Sequence, residues 1–440
     1  MSDFPRRKPS ERLLITGIGL VTPFGTGREA FAAGLREGRS ACAPLHRVLE
    51  VSTWPVQTGG WVPDVGPESL GVVHNKLRGM GKYVRIGILA AQQALADAGI
   101  APGSVDPARI GAFVASGTNG QNAEGLFPAF DVSRVDGESD NSACIGLDLR
   151  KLGSDGIDRV HPWWLLGTIS NNLIFFITHI LGVKGPNSNA CNSAIAGASM
   201  IDRALESLRS GELDVALVGG ADTPLNWQMV SDLSRLGLLA EGAPDDVLPM
   251  RPFGGGSHGT ILSEGAAFLV IERESFADSH GRKGKCEIVN TAFSGSFQDP
   301  IAPAADGSDT QLVSESLMEN IPNESVIHVN ASATGLPAWD AAELRGLTCA
   351  AATGGSGRHL ALGSAKSILG HAWSASFMLE TAASAIALIE GFGLALPDGS
   401  PTSLPGAMER APRGNFDHNW ALNLGQCFGG ATAGVLLHAI

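Results

Sequence analysis

The chain has 440 residues, 44% of them hydrophobic and 17% charged, with 31 Lys and Arg against 44 Asp and Glu for a formal charge of −13. That length allows two or three domains of about 150 residues, or one large intertwined unit, and it supports a large core. So negative a chain is a poor nucleic-acid binder, because phosphate contacts need a basic face, and it is repelled by strongly acidic surfaces.

Residues 13–21 (LLITGIGLV) read as a buried strand that ends in a Pro-Phe-Gly turn. A helix is expected over 28–37 and another over 83–98, closed by Gly99. Residues 110–115 read as a short buried strand. The stretch 130–158 is polar, holds six Asp, and reads as a surface insertion. The most apolar stretch, 173–183, contains Thr178 and His179 and is too short to span a bilayer. A small-residue helix is expected over 192–208, then a strand over 215–218 closed by Gly219 and Gly220, and a strand over 266–271. The composition turns charged over 274–285, which suggests a seam between an N-terminal half, 1–275, and a C-terminal half, 276–440. Beyond it, 287–294 and 325–329 read as strands, 342–350 and 374–391 as helices, and 433–438 as a closing strand. Strands alternating with helices predict an α/β architecture with buried sheets.

Six cysteines (Cys42, Cys144, Cys191, Cys286, Cys349, Cys427) lie scattered without a CxxC pair. They spell neither a zinc site nor a disulfide framework, which fits a reducing cytoplasm. The N-terminus lacks the uninterrupted apolar run of a signal peptide. No membrane contact and no cofactor are expected.

Seven segments, in order along nearly the whole chain, resemble the β-ketoacyl synthases, the elongating condensing enzymes of fatty acid and polyketide synthesis. They are ITGIGLVTPFG (15–25), Gly185-Pro186, SGELDVALVGGAD (210–222), RPF (251–253), SEGAAFLVIE (263–272), KSILGH (366–371) and FGG (428–430). The resemblance implies a thiolase-like fold, a five-layer α-β-α-β-α sandwich of two similar halves that dimerises through a sheet edge. It also implies a cysteine nucleophile at a helix N-terminus, two histidines that polarise the malonyl thioester and its enolate, and an oxyanion hole of two backbone amides.

The catalytic positions depart from that pattern. Without gaps, the nucleophile position falls on Ala194, eight residues after Pro186. A methyl group cannot attack a thioester. Cys191 fills the position only if three residues are removed before it and three added after it. The first histidine position is Ser332, with Thr334, Pro337, Asp340 and Glu343 holding the frame. A neutral hydroxyl cannot become a cationic donor near pH 7. His328 lies on the preceding strand and is a poor replacement. His371 and Lys366 are retained. Trp339, Trp373 and Phe377 are bulky where the family is usually small, so they are expected to fill substrate space, or to be local core. Phe428 matches the family's gating Phe. Cys427 before it replaces a Gly, which puts swinging of that loop in doubt. After Phe253, Gly254 to His258 (GGGSH) stand where acidic and Arg residues are usual.

This damage resembles the chain-length factors, or KSβ subunits, which pair with an active ketosynthase and help shape its channel. Trp163 and Trp164, just after the insertion, are candidate anchors for such a partner. Acyl carrier proteins are acidic, so a −13 chain is expected to leave carrier docking to that partner. Two other readings stay open: a condensing enzyme or acyltransferase using Cys191 with His371, and a homodimeric acyl-binding protein.

Overall fold

Apolar runs become strands with nearly the expected bounds in a computed structural model, which describes residues 11–440 apart from 52–53, 73–78, 118–122, 137–144, 192, 242–249, 255–258, 354–357, 402 and 407. Strand β1 (Leu13–Thr22) is buried along its whole length. Helix α1 (Arg28–Glu37) follows, then α2 (Lys82–Asp97). Next come β2 (Ile110–Ser116), α3 (Asn172–Leu181), β3 (Asn187–Cys191), α4 (Ala196–Arg209), β4 (Val215–Asp222) and β5 (Gly265–Arg273). The later elements are β6 (Cys286–Gly295), α5 (Ser308–Met318), β7 (Val326–Asn330), α6 (Pro337–Thr353), β8 (His359–Gly363) and α7 (Ser376–Glu390). Strands β9 (Met408–Arg410), β10 (Trp420–Cys427) and β11 (Ala431–His438) complete the chain.

The strand order is β9-β8-β7-β10-β11-β6-β1-β5-β4-β2-β3. Strands β6 and β1 meet over only two residue pairs, Leu14 with Glu287 and Ile15 with Cys286, so the sheet is two sheets touching at a corner. Each has one topology. In the first, β2 runs parallel to β3 and β4, and β5 runs antiparallel to β4 and β1. In the second, β7 runs parallel to β8 and β10, and β11 runs antiparallel to β10 and β6. Of the strands in this order, β9 has no counterpart, and a two-residue strand, Gly25–Thr26, pairs with β1 off the path.

Burial gives the layers. Helices α4 and α7 form one apolar cluster with inner residues of both sheets. Helices α2 and α3 cover the outer face of the first sheet, and α5 and α6 that of the second. The result is α-β-α-β-α. The layers approach closely where side chains are absent: a Cβ on Gly19 of β1 would sit 1.9 Å from the Ala90 carbonyl oxygen of α2.

Several expectations need correction. Strand β4 does not stop at Gly219-Gly220 but runs on to Asp222. These glycines admit neighbours, since a Cβ on Gly219 would meet the Phe268 ring at 2.2 Å. Helix α4 begins at Ala196, four residues later than expected. Helix α6 begins at Pro337, a residue suited to a first helical turn. The stretch read as an irregular insertion is folded at its ends: a hairpin pairs Arg134–Asp136 with Ile145–Leu147 and rests on short helical turns. Its middle, 137–144, and 255–258 of the Gly-rich run after Phe253 lie outside the described residues. Among the described residues no helix is long and apolar enough to cross a membrane.

Candidate functional site

The loops at one end of both sheets converge around a narrow cavity of about 20 Å³, open at its mouth. Ala194, His371, Trp339, Trp373, Cys427 and Phe428 line it, with Leu233, Leu238 and Leu336 on its apolar side. Ala194 is buried in the turn that leads into α4. Cys191 is elsewhere. It ends the edge strand β3, its sulfur accepts a hydrogen bond from the Asn189 amide at 3.0 Å, and it does not line the cavity.

The Ser332 segment holds its frame through buried carboxylates. Glu343 accepts from the Ser332 and Ala333 N–H groups at 2.6 and 2.8 Å. Asp340 accepts from Phe253 N–H at 3.0 Å, from Gly335 N–H at 3.2 Å and from the Thr334 hydroxyl at 3.3 Å. Ser332 is fully buried, and its hydroxyl oxygen accepts from Gln426 N–H at 3.1 Å. It ties two loops together and offers the cavity no cationic donor. His328 is remote: its Nε2 accepts from Leu394 N–H at 3.0 Å, and its ring packs on His418.

His371 retains donor chemistry. Its Nδ1 accepts from Trp373 N–H at 2.9 Å and lies 3.1 Å from the Ser376 hydroxyl. Burial, with the Lys366 charge behind it, holds its pKa well below the usual imidazole range. The ring is therefore neutral, with its proton on Nε2. Lys366, equally buried, pairs with Glu380 of α7, well inside the core.

Three aromatics narrow the cavity. Phe428 meets Trp339 and Trp373 edge to face, with ring centroids 6.0 and 5.4 Å apart. Phe377 lies apart from them, fully buried in the core against Gly425. Cys427 has φ −140°, ordinary extended backbone, in this conformation. The left-handed residues of that turn are Gly429 and Gly430, at φ 75° and 72°. Strain sits instead at Ala333 and Trp373, non-glycine residues at φ 44° and 48° beside the cavity.

Cys427 as a cavity residue was missed by sequence reasoning. The signal available was its place directly before Phe428, since a side chain there borders the same space as the Phe428 ring. Among the described residues no cluster of three or more His, Cys, Asp or Glu could hold a metal ion.

Burial pushes the Glu343 carboxyl up to about 8. A carboxyl raised in the fold contributes stability that is fully present below its unfolded pKa and is lost as pH rises toward the folded value. The lowered histidines lose stability only below their unfolded pKa, about 6.5. From pH 6.5 to 8 the carboxyls therefore act unopposed, and Glu343 alone should cost about 2 kcal/mol. Urea unfolding at both pH values should show this loss, and Glu343→Gln should flatten it. An unchanged slope in Glu343→Gln would refute the assignment.

Comparison with known proteins gives a consistent picture. Residues 10–277 match the family model "Beta-ketoacyl synthase, N-terminal domain", and residues 285–395 match "Beta-ketoacyl synthase, C-terminal domain". The 3-oxoacyl-[acyl-carrier-protein] synthase 2 of Vibrio harveyi is 27% identical over 384 residues, 86% of each chain. That of Synechocystis sp. is 26% identical over 385 residues, again 86% of each. Among solved structures, the ishigamide ketosynthase/chain length factor aligns with a TM-score of 0.80 at 23% identity, covering 98% of this chain and 100% of the other. A β-ketoacyl synthase from Burkholderia phymatum aligns at 0.77 and 21%, with the same coverage. The fold is thiolase-like.

Proposed function

This chain belongs to the β-ketoacyl synthase family, and we propose that within it the chain is a non-elongating subunit of the chain-length-factor kind, paired with an active ketosynthase. The observation that carries this reading is the cavity itself. The residue before α4 that shares it with His371 is Ala194, and Ser332 is spent on the Gln426 backbone. Malonyl condensation lacks both its thiol and one of its two histidine donors. The alternative nucleophile, Cys191, does not border the cavity. One structural relative, described as a ketosynthase/chain length factor, is in keeping with this role.

The partner surface follows from what is left open. Strand β3 pairs with β2 on one side, and among the described residues nothing pairs with its other side. Beside it runs an apolar surface. Leu165 is 63% exposed and Phe175 57%, and Trp163, Leu166 and Ile169 are exposed too. Trp164 is half-buried against Gly125. Permanent partners bury on the order of 2,000–5,000 Å² of such surface. The active subunit is the one to dock carrier proteins, since carriers are acidic and this chain carries −13.

Co-expressed with the intact Cys-His-His synthase of its own gene neighbourhood, the chain should purify as a 1:1 pair, and alone it should aggregate or form a non-native homodimer. A stable monomer indifferent to that synthase would overturn the reading. A stable homodimer that retains a bound acyl ligand would favour an acyl-binding protein instead.

A further inference from the structure

We propose that Cys427 is an acyl-acceptor thiol: it takes a short acyl group from a thioester into the cavity, at the wall it shares with Ser193 and Ala194. The proposal rests on the reading above, in that such an acyl group would be held and not elongated.

Three observations place chemistry at this sulfur. The first is position. Cys427 ends β10, lines the cavity that holds Ala194 and His371, and is 8% exposed. Cys191 does not line that cavity.

The second is a relay from a helix N-terminus. The Ile195 N–H, at the start of α4, donates to the Ser193 hydroxyl oxygen at 3.3 Å. That hydroxyl in turn donates to the Cys427 sulfur at 3.2 Å. Helix N-termini favour negative charge, and α4 is 14 residues long. Ser193 carries that influence across the gap to the sulfur. An O–H aimed at sulfur stabilises the charge that develops there during attack.

The third is a donor on the cavity lining. His371 is 95% buried, being 5% exposed, and its Nδ1 is taken by Trp373 N–H. Its proton is on Nε2, and among the described residues no hydrogen bond reaches that atom. A thioester carbonyl in the cavity would give it an acceptor. A neutral imidazole N–H is suited to that task and needs no second histidine for it.

The step balances without a further reagent. The Cys427 sulfur attacks the thioester carbonyl and forms a new S–C bond. The S–C bond to the donor thiol breaks, and the thiol proton of Cys427 passes to the departing thiolate. The product is an acyl-Cys427 thioester and a free thiol. Decarboxylative condensation would not follow, because Ser332 supplies no second donor. The packed rings of Trp339, Trp373 and Phe428 leave about 20 Å³ of space, which restricts the acyl group to the smallest, acetyl.

The test uses the full chain and S-acetyl-pantetheine, followed by intact-protein mass spectrometry and peptide mapping. One acetyl group per chain is expected, on Cys427. Cys427→Ala should abolish it, Cys191→Ala should leave it, and Ser193→Ala should slow it at least tenfold. Matching thermal unfolding curves will show that each variant is folded. An adduct absent from Cys427 in the folded parent chain, or one formed equally fast in folded Ser193→Ala, overturns the proposal. Condensation with malonyl donors is measured separately. Failure to acetylate while the 1:1 pair still elongates would sink this inference alone, whereas elongation by the chain alone would sink the subunit reading.

Discussion

Ala194→Cys should leave malonyl condensation at least about 100-fold below that of an intact synthase. The new thiol would sit in the turn before α4, in the same cavity as His371, and could be acylated. Decarboxylation then needs two donors for the malonyl thioester and its enolate. Removing one such preorganised donor typically costs about 10²–10³-fold. On the proposed assignment the missing one is the histidine whose place Ser332 takes, and the Ser332 hydroxyl accepts from the Gln426 amide. Adding Ser332→His should recover only part of the loss. Ser332 is fully buried, and enlarging a packed site costs about 1–3 kcal/mol. Product formation from acyl- and malonyl-carrier substrates measures both variants. If Ala194→Cys alone reached within tenfold of an intact synthase, the argument from Ser332 would fail.

Lys366→Met should destabilise the chain by about 3–5 kcal/mol, the usual cost of removing one partner of a buried ion pair. Lys366 and Glu380 are each 2% exposed and face each other across the start of α7. Burial already raises the Glu380 pKa, so without Lys366 it would take up a proton. A carboxyl raised further loses more stability as pH rises, and the deficit should therefore grow with pH. Replacing both, as Lys366→Met with Glu380→Leu, should return most of the loss, since an apolar pair avoids the cost of desolvating charge. Urea unfolding of the three variants measures this. A single variant as stable as the parent would show that the pair is not what holds Lys366. On this account Lys366 is held in place by the core, whatever the chemistry of the cavity.

The sequence showed what burial dictates and hid what pairing dictates. Strand β1 and helix α1 stood out because apolar runs and helical spacing mark buried faces. Strand β3, with the sequence NSNAC, did not, because an edge strand need not be apolar. Strand β10 escaped for another reason: WALNLGQC alternates weakly, since buried Asn423 bonds to Phe377 and Thr381 of α7. The frame around Ser332 was legible because Thr334, Asp340 and Glu343 kept their spacing, and these are the groups that bond its backbone and neighbours. The contact of Cys427 with Ser193 was not legible, because the two are distant in sequence and meet only through the fold.

The two sheets share a topology but not an ending. In the second, β9 lies along β8, the counterpart of β3. It is only three residues long and carries Glu409 and Arg410, features that blunt a strand's capacity to recruit another. The first sheet has no such cover along β3. A molecule with two adhesive edges could add copies without limit, as ribbons and fibres do. With one edge blunted, growth would stop after a single addition. If the chain pairs through β3 as proposed, the short charged β9 offers a poor second edge, and assembly would end at a closed pair.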